Sequence, residues 1–195
     1  MKRTANVVWN GNGEDGNGTL STQSGAIKNL PYNFKMRFQN EDGQLGTNPE
    51  ELLDELSTKK RASYSGLVLN ERGFSRALDS ECDEITFVIV ASDEFSLKNQ
   101  GMTTAQSIEY ISELLKNKEK GIKVCISIAA AFGCPFEGEV KPSRVIEIAE
   151  KCLDLCPDEI SLADTIGVAV PKDIKEKVGP LISLYSNTPV RLHLH

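Results

Sequence analysis

The residues with the most evident chemistry stand last. In RLHLH, His193 and His195 flank Leu194, and the 195-residue sequence holds no other histidine. On a strand, side chains alternate with period two, so both imidazoles share one face and Leu194 takes the other. Two neutral imidazoles on one face form a nitrogen pair suited to a divalent cation. A second cluster lies in SLADTIG, where Asp164 and Thr165 close an apolar run and Ser161 precedes Asp164 by three. Taken alone, an Asp or Thr after a strand reads as the N-cap of the next helix. The five cysteines include no C-x-x-C pair. Cys152 and Cys156, four apart on a predicted helix, read as small core residues. Cys134, between Gly133 and Pro135 in GCPFEG, reads as structural.

The elements that must position these residues fall into two halves. The first fifty-odd residues predict antiparallel β: TANVVW, the Asn-Gly and Asp-Gly turn signals of NGNGEDGNG, a returning TLSTQSGAI, an interruption at Pro31, and an alternating NFKMRF. GTNPEELLDEL then predicts a helix start, with Asn48 as cap and Pro49 in the first helical position. From about Tyr64 the pattern changes. YSGLVLN, EITFVIVAS, IKVCISIAAAF, DEISLAD and VRLHLH predict five strands. NERGFSRALDS, TTAQSIEYISELLKNKEK, PSRVIEIAEKCLDLC and PKDIKEKVGPLISLY predict four helices between them, with Val145, Ile148, Ala149 and Cys152 inward in the third. Alternating βα units imply a parallel sheet or barrel. The expected domains are residues 1–55 and 56–195, joined across Asp54–Ser63.

Bulk properties narrow the function classes. A net charge of −6 argues against nucleic acid or an anionic membrane as the main partner. No apolar stretch suits a signal peptide or a bilayer span. An odd cysteine count without disulfide-framework spacing suggests the reducing cytoplasm.

YSGLVLNERG, ASDEFSLKNQGMT, FGCPFEGEV, EISLADTIGVAVP and the final HLH, in that order and spacing, resemble the hydroxymethylglutaryl-CoA lyase family. These are metal-dependent (β/α)8 barrels that cleave a carbon–carbon bond. The resemblance covers about residues 56–195 and implies barrel strands three to seven, an incomplete parallel barrel of the TIM type. It implies that His193 and His195 are ligands for Mg²⁺ or Mn²⁺, hard ions wanting about six mostly oxygen donors. Further ligands in the family come from a first strand and from beyond the seventh, and neither has a counterpart here. Ser161, Asp164 and Thr165 are implied to line the pocket around the substrate's hydroxyl and carboxylate. Asn99, in SLKNQ, matches a position implicated in CoA binding, although a Lys-Asn pair in a loop otherwise reads as solvated. The implied substrate is the CoA thioester 3-hydroxy-3-methylglutaryl-CoA, cleaved to acetoacetate and acetyl-CoA. Synthases making citramalate-type products are the related alternative.

Over about residues 1–53, VVWNG, NGTLSTQSG, PYNFKMRF and GTNPEELL are similar to the start of the OsmC/Ohr family of thiol peroxidases. Arg37 and Glu50 match that family's Arg and Glu. Its nucleophilic Cys, due about ten residues after Glu50, is absent from STKKRAS, and without a thiolate this peroxide chemistry cannot run. The expectation is a truncated, fused or misassembled product of lyase ancestry with little or no activity of its own. Two alternatives are a peroxidase completed by Cys82 or another thiol, and a non-catalytic fragment that self-associates or docks through open sheet edges.

Overall fold

The computed structural model describes residues 4–12, 15–25, 27–33, 53, 62–80, 82–116, 118, 121–184 and 187–195. The chain divides into two compact units, Met1–Leu52 and Leu53–His195. The NFKMRF strand beyond Asn33, the GTNPEELLDEL helix, Arg37, Glu50 and most of the Asp54–Ser63 join lie outside the described residues.

In the first unit, β1 (Ala5–Asn10), β2 (Asn17–Thr22) and β3 (Leu30–Asn33) form an antiparallel sheet in chain order. Asn12 builds the first turn: its side chain accepts the Asp15 N–H at 2.8 Å and its carbonyl accepts the Gly16 N–H at 2.9 Å. Gly16 is needed there, because a Cβ would sit 2.5 Å from the Trp9 ring. Pro31 does not interrupt. It sits inside β3 opposite Thr19, on a strand paired only with β2 among the described residues, where a missing N–H donor costs little.

The second unit is a five-stranded, wholly parallel sheet in chain order, built from β4 (Ser65–Val68), β5 (Glu84–Val90), β6 (Lys123–Ala129), β7 (Glu159–Ala163) and β8 (Val190–His193). Alternation sorts the strands. Ile85, Phe87, Ile89, Val124, Ile126, Ile128, Ile160 and Leu162 are buried in the core shared with the helices. Thr86, Cys125, Ser127 and Ser161 line the opposite face. One covered face and one open polar face is an incomplete barrel wall, since a parallel sheet ordinarily has both faces covered.

Among the described residues from Tyr64 on, five helices, not four, accompany this sheet: α1 (Glu71–Leu78), α2 (Asp93–Gln100), α3 (Thr104–Leu115), α4 (Pro142–Leu153) and α5 (Pro171–Leu184). The additional one is α2, formed by DEFSLKNQ. Ser92 caps its N-terminus, Asp93 and Glu94 occupy the first turn, and Gly101 ends it at φ 72°. In α4, Val145, Ile148, Ala149 and Cys152 are the buried residues, as the apolar stripe predicts. The helix stops at Leu153, so Cys156 lies beyond it, exposed and with φ 51°. No described helix is long and apolar enough to cross a membrane.

Candidate functional site

The C-terminal ends of the parallel strands gather the residues singled out above. Asp164 follows β7 and is only 2% exposed. Its Oδ1 accepts the Val168 N–H at 2.9 Å and its Oδ2 accepts the Ala169 N–H at 3.1 Å, while its own N–H donates to the His193 carbonyl at 2.8 Å. The DTIGVA loop is therefore wound around one carboxylate. Asp164 does not cap the next helix: α5 begins at Pro171, and the Val170 N–H is held by Asp173. Thr165 Oγ1 accepts the Ala130 N–H at 2.7 Å, tying the loop after β7 to the end of β6, where Ala130 sits at φ 54°.

The neighbouring GCPFEG turn is organised by sulfur. Cys134 Sγ accepts the N–H groups of Phe136 and Glu137 at 3.4 and 3.3 Å and lies 2.8 Å from Ser92 Oγ. A Cβ on Gly133 would come within 2.8 Å of Val168 Cγ2, so glycine lets this turn pack against the DTIGVA loop.

His193 and His195 are exposed, with ring centroids 4.9 Å apart and planes inclined by 30°. Both imidazoles stand on one face, as the alternation requires. Two imidazoles bound side by side to one ion, at a metal–nitrogen distance of about 2.1 Å, have ring centres roughly 4.5–5 Å apart. The centroid spacing of the pair matches that of two neighbouring ligands in one coordination shell. Among the described residues no group of three His, Cys, Asp or Glu side chains could complete it. Asp164 is adjacent in the backbone but has both oxygens committed to its loop.

Below the histidines, Thr86, Cys125, Ser127, Ser161 and Arg191 line a groove of about 440 Å³ on the open face. Ser161 is buried there, 4% exposed. Burial pushes the Cys125 thiol up to about 12, so it is no thiolate at neutral pH. Asn99 is exposed on α2, and no described hydrogen bond or ion pair links it to Asp164 or the histidines. Its neighbour Lys98 pairs with Glu94 at 2.8 Å and lies 3.8 Å from the centre of the Phe136 ring.

Two features escaped the sequence reading. At the N-terminal ends of the strands, Arg191 donates to both oxygens of Glu84 at 3.0 and 3.1 Å and to Glu159 Oε2 through Nη2 at 2.8 Å, with its Nε 2.6 Å from Glu159 Oε1 in the same ion pair. Its hydrogen bonds to Glu84, joined by those from Ser65 and Thr86, hold the Glu84 carboxyl below the usual range despite burial. The alternation that pairs the histidines also puts Arg191 on their face, which was the available signal. The second feature is Lys177, on α5. It is 3% exposed, with its ammonium 5.3 Å from the centre of the Phe132 ring and with no hydrogen bond or ion pair among the described residues. Desolvation lowers its pKa, against the field of Asp173, Glu139, Glu176 and Asp164.

Lys177→Met is expected to stabilise the chain at pH 7 by about 1 kcal/mol, because a partly desolvated ammonium on a buried stem is replaced by an apolar side chain. The lysine's folded pKa lies below its unfolded value, so wild-type stability rises with pH between the two and the advantage of Met narrows there. Urea unfolding at pH 7 and pH 10 measures both, and a variant no more stable at pH 7 contradicts this reading of Lys177.

Residues 50–195 match the family described as HMGL-like. The chain belongs to that family. Among curated relatives of this HMGL-like chain, the (R)-citramalyl-CoA lyase of Chloroflexus aurantiacus is 38% identical over 133 residues, 68% of this chain and 42% of that protein. The mitochondrial hydroxymethylglutaryl-CoA lyase of Bos taurus is 31% identical over 134 residues, 68% of this chain and 41% of that protein. A solved HMG-CoA lyase of Acinetobacter baumannii, in complex with coenzyme A and 3-methylmalate, superposes with a TM-score of 0.69 at 33% identity. The superposition covers 75% of this chain and 48% of that one. The HMGL-like chain thus spans less than half the length of these relatives.

Proposed function

We propose that the HMGL-like unit forms the metal-binding, substrate-facing wall of a lyase that cleaves a carbon–carbon bond in a CoA thioester of a 3-hydroxy acid. The observation carrying this reading is the His193–His195 pair at the mouth of a groove whose lining includes the hydroxyls of Thr86, Ser127 and Ser161. A divalent ion held by the two imidazoles would polarise substrate oxygens. The chain's own groups then divide the work. Ser161, with Thr86 and Ser127, offers hydroxyls that can hydrogen-bond an oxygenated substrate. Asp164 shapes the mouth: with both oxygens accepting backbone N–H bonds, it is placed to hold a loop, not to take the substrate's hydroxyl proton. Thr165 fixes that loop against β6. Asn99 is proposed as a contact for the CoA moiety.

The substrates named for the two curated relatives, citramalyl-CoA and hydroxymethylglutaryl-CoA, are the candidates to test. The residues quoted for the OsmC-like resemblance leave a peroxidase reading without its nucleophile, and the lyase reading is preferred. The proposed setting is the cytoplasm, with self-association through the edges of β4 and β8 as an accompanying proposal.

NMR titration of the full chain with each thioester, in the presence of Mg²⁺, tests the substrate assignment. The expected result is saturable shifts at Ser161, Ser127 and Thr165, weakened at least tenfold by Ser161→Val. Shifts confined to residues away from the groove would contradict it. Turnover by this chain alone is expected to be very small, because the described residues include no free base beside the histidines.

A further inference from the structure

We propose that Arg191 is a positioning residue: by clamping Glu84 and Glu159 it holds β8, and with it the imidazoles of His193 and His195, against the rest of the sheet. The consequence for metal binding rests on the functional reading above, whereas the clamp itself rests on geometry alone.

β8, like β4, is a short strand at an edge of the sheet. It has four residues and, among the described residues, a single strand neighbour, β7. The carbonyls of Pro189, just before β8, and of His193, its last residue, accept the N–H groups of Ile160 and Asp164 at 3.1 and 2.8 Å. A short edge ladder of this kind frays readily. Arg191 adds a tie of longer reach. Glu84 opens β5 and Glu159 opens β7, so the guanidinium connects β8 to its neighbour and to a strand two places further on. In a flat sheet β5 and β8 would stand about 14 Å apart. An arginine–glutamate contact at 3.0 Å across them fits a sheet that curls toward this face.

The geometry of the clamp is directional. The Nη1/Nη2 edge meets both oxygens of Glu84, and the Nε/Nη2 edge meets both oxygens of Glu159. A planar fork to Glu84 and a further bond and ion-pair contact to Glu159 fix the rotation of the guanidinium, not only its distance, which an ammonium on a flexible stem cannot do. Arg191, His193 and His195 lie at alternate positions on the same face. A roll of β8 about its own axis, which would turn the imidazoles away from each other's side of the groove, is therefore resisted two residues upstream. Glu159 begins β7, and Asp164, just past the end of that strand, donates its N–H to the His193 carbonyl. The histidines are thus referenced to β7 at both ends.

The test compares amide hydrogen exchange and Mn²⁺ affinity, the latter by electron paramagnetic resonance, in the full chain. In Arg191→Ala, exchange at Ile160 and Asp164 is expected to quicken at least tenfold, while Ala91, whose N–H joins β5 to β6, stays unchanged. Mn²⁺ affinity is expected to fall at least tenfold. Arg191→Lys is expected to fall between, and the double change Glu84→Gln with Glu159→Gln to reproduce Arg191→Ala with the arginine intact. Should Arg191→Ala fail to fold, Arg191→Lys and Glu84→Gln carry the same comparison. Unchanged exchange at Ile160 and Asp164 would overturn the clamp. So would wild-type Mn²⁺ affinity in Arg191→Ala, and in that case the functional reading would stand. If the unsubstituted chain takes up no Mn²⁺ at the histidines, the functional reading falls and exchange still decides the clamp.

Discussion

Asp164→Ala lowers the unfolding free energy of the chain by about 3 kcal/mol, the largest loss expected from a single substitution at the mouth. A hydrogen bond to an ionised group contributes roughly 1.5–3 kcal/mol, and a buried donor left without its acceptor adds a penalty of its own. Alanine removes the acceptor of two backbone N–H groups, Val168 and Ala169, at a position that is 2% exposed. Asp164→Asn keeps one acceptor oxygen and turns an amide toward the second N–H, so it should recover about half the loss. The damage extends beyond the loop itself. Thr165, held to Ala130, and Gly167, where a Cβ would lie 3.6 Å from that of His195, belong to the same turn. Urea unfolding of both variants measures the effect, and a loss under about 1 kcal/mol for alanine would mean that the carboxylate does not hold this loop.

The second large effect is an acid dependence set by Glu84. Its carboxyl is held below the usual range chiefly by Arg191, so its folded pKa is lower than its unfolded one. That contribution is fully present above the unfolded pKa and is lost as pH falls through the folded value. Glu84→Gln should cost about 2 kcal/mol at pH 7, between the value of an exposed pair and that of a fully buried one, since the Arg191 side chain is 45% exposed and that of Glu84 11%. The variant should also lose stability less steeply than the wild type below pH 5. Urea unfolding at pH 7, 5, 4 and 3 decides it. Parallel curves for the two proteins would show that another group dominates the acid limb.

The βα order of the second unit was legible because short β-rich runs such as EITFVIV and KVCISIA, with an apolar residue at every second position, stand between stretches of helical period. The stripe of α4 was legible from its helical spacing, Val145, Ile148, Ala149 and Cys152. By contrast, α2 was missed because Phe95 and Leu97 give its eight residues almost no apolar periodicity, and only the caps at Ser92 and Gly101 announce it. Pro31 misled because a proline in a strand is a fault only where its N–H is needed.

At the site, the shared face of His193 and His195 followed from period-two alternation alone. The behaviour of Asp164 did not. A carboxylate after a strand suggests a helix cap, and nothing local says that the next five residues will wrap around it. Arg191 shows the limit most plainly. Its face was readable from RLHLH, but its partners are 32 and 107 residues away in sequence and meet it only when the sheet forms.

The central claim, that this HMGL-like chain carries a two-histidine metal wall, is tested most directly by Mn²⁺ titration of the full chain and of the double change His193→Ala with His195→Ala, followed by electron paramagnetic resonance. The account predicts one saturable site in the unsubstituted chain, at least a hundredfold weaker or absent in the double variant, with the urea midpoint of the apo protein unchanged because both imidazoles are exposed. Equal Mn²⁺ uptake by the two proteins would contradict it.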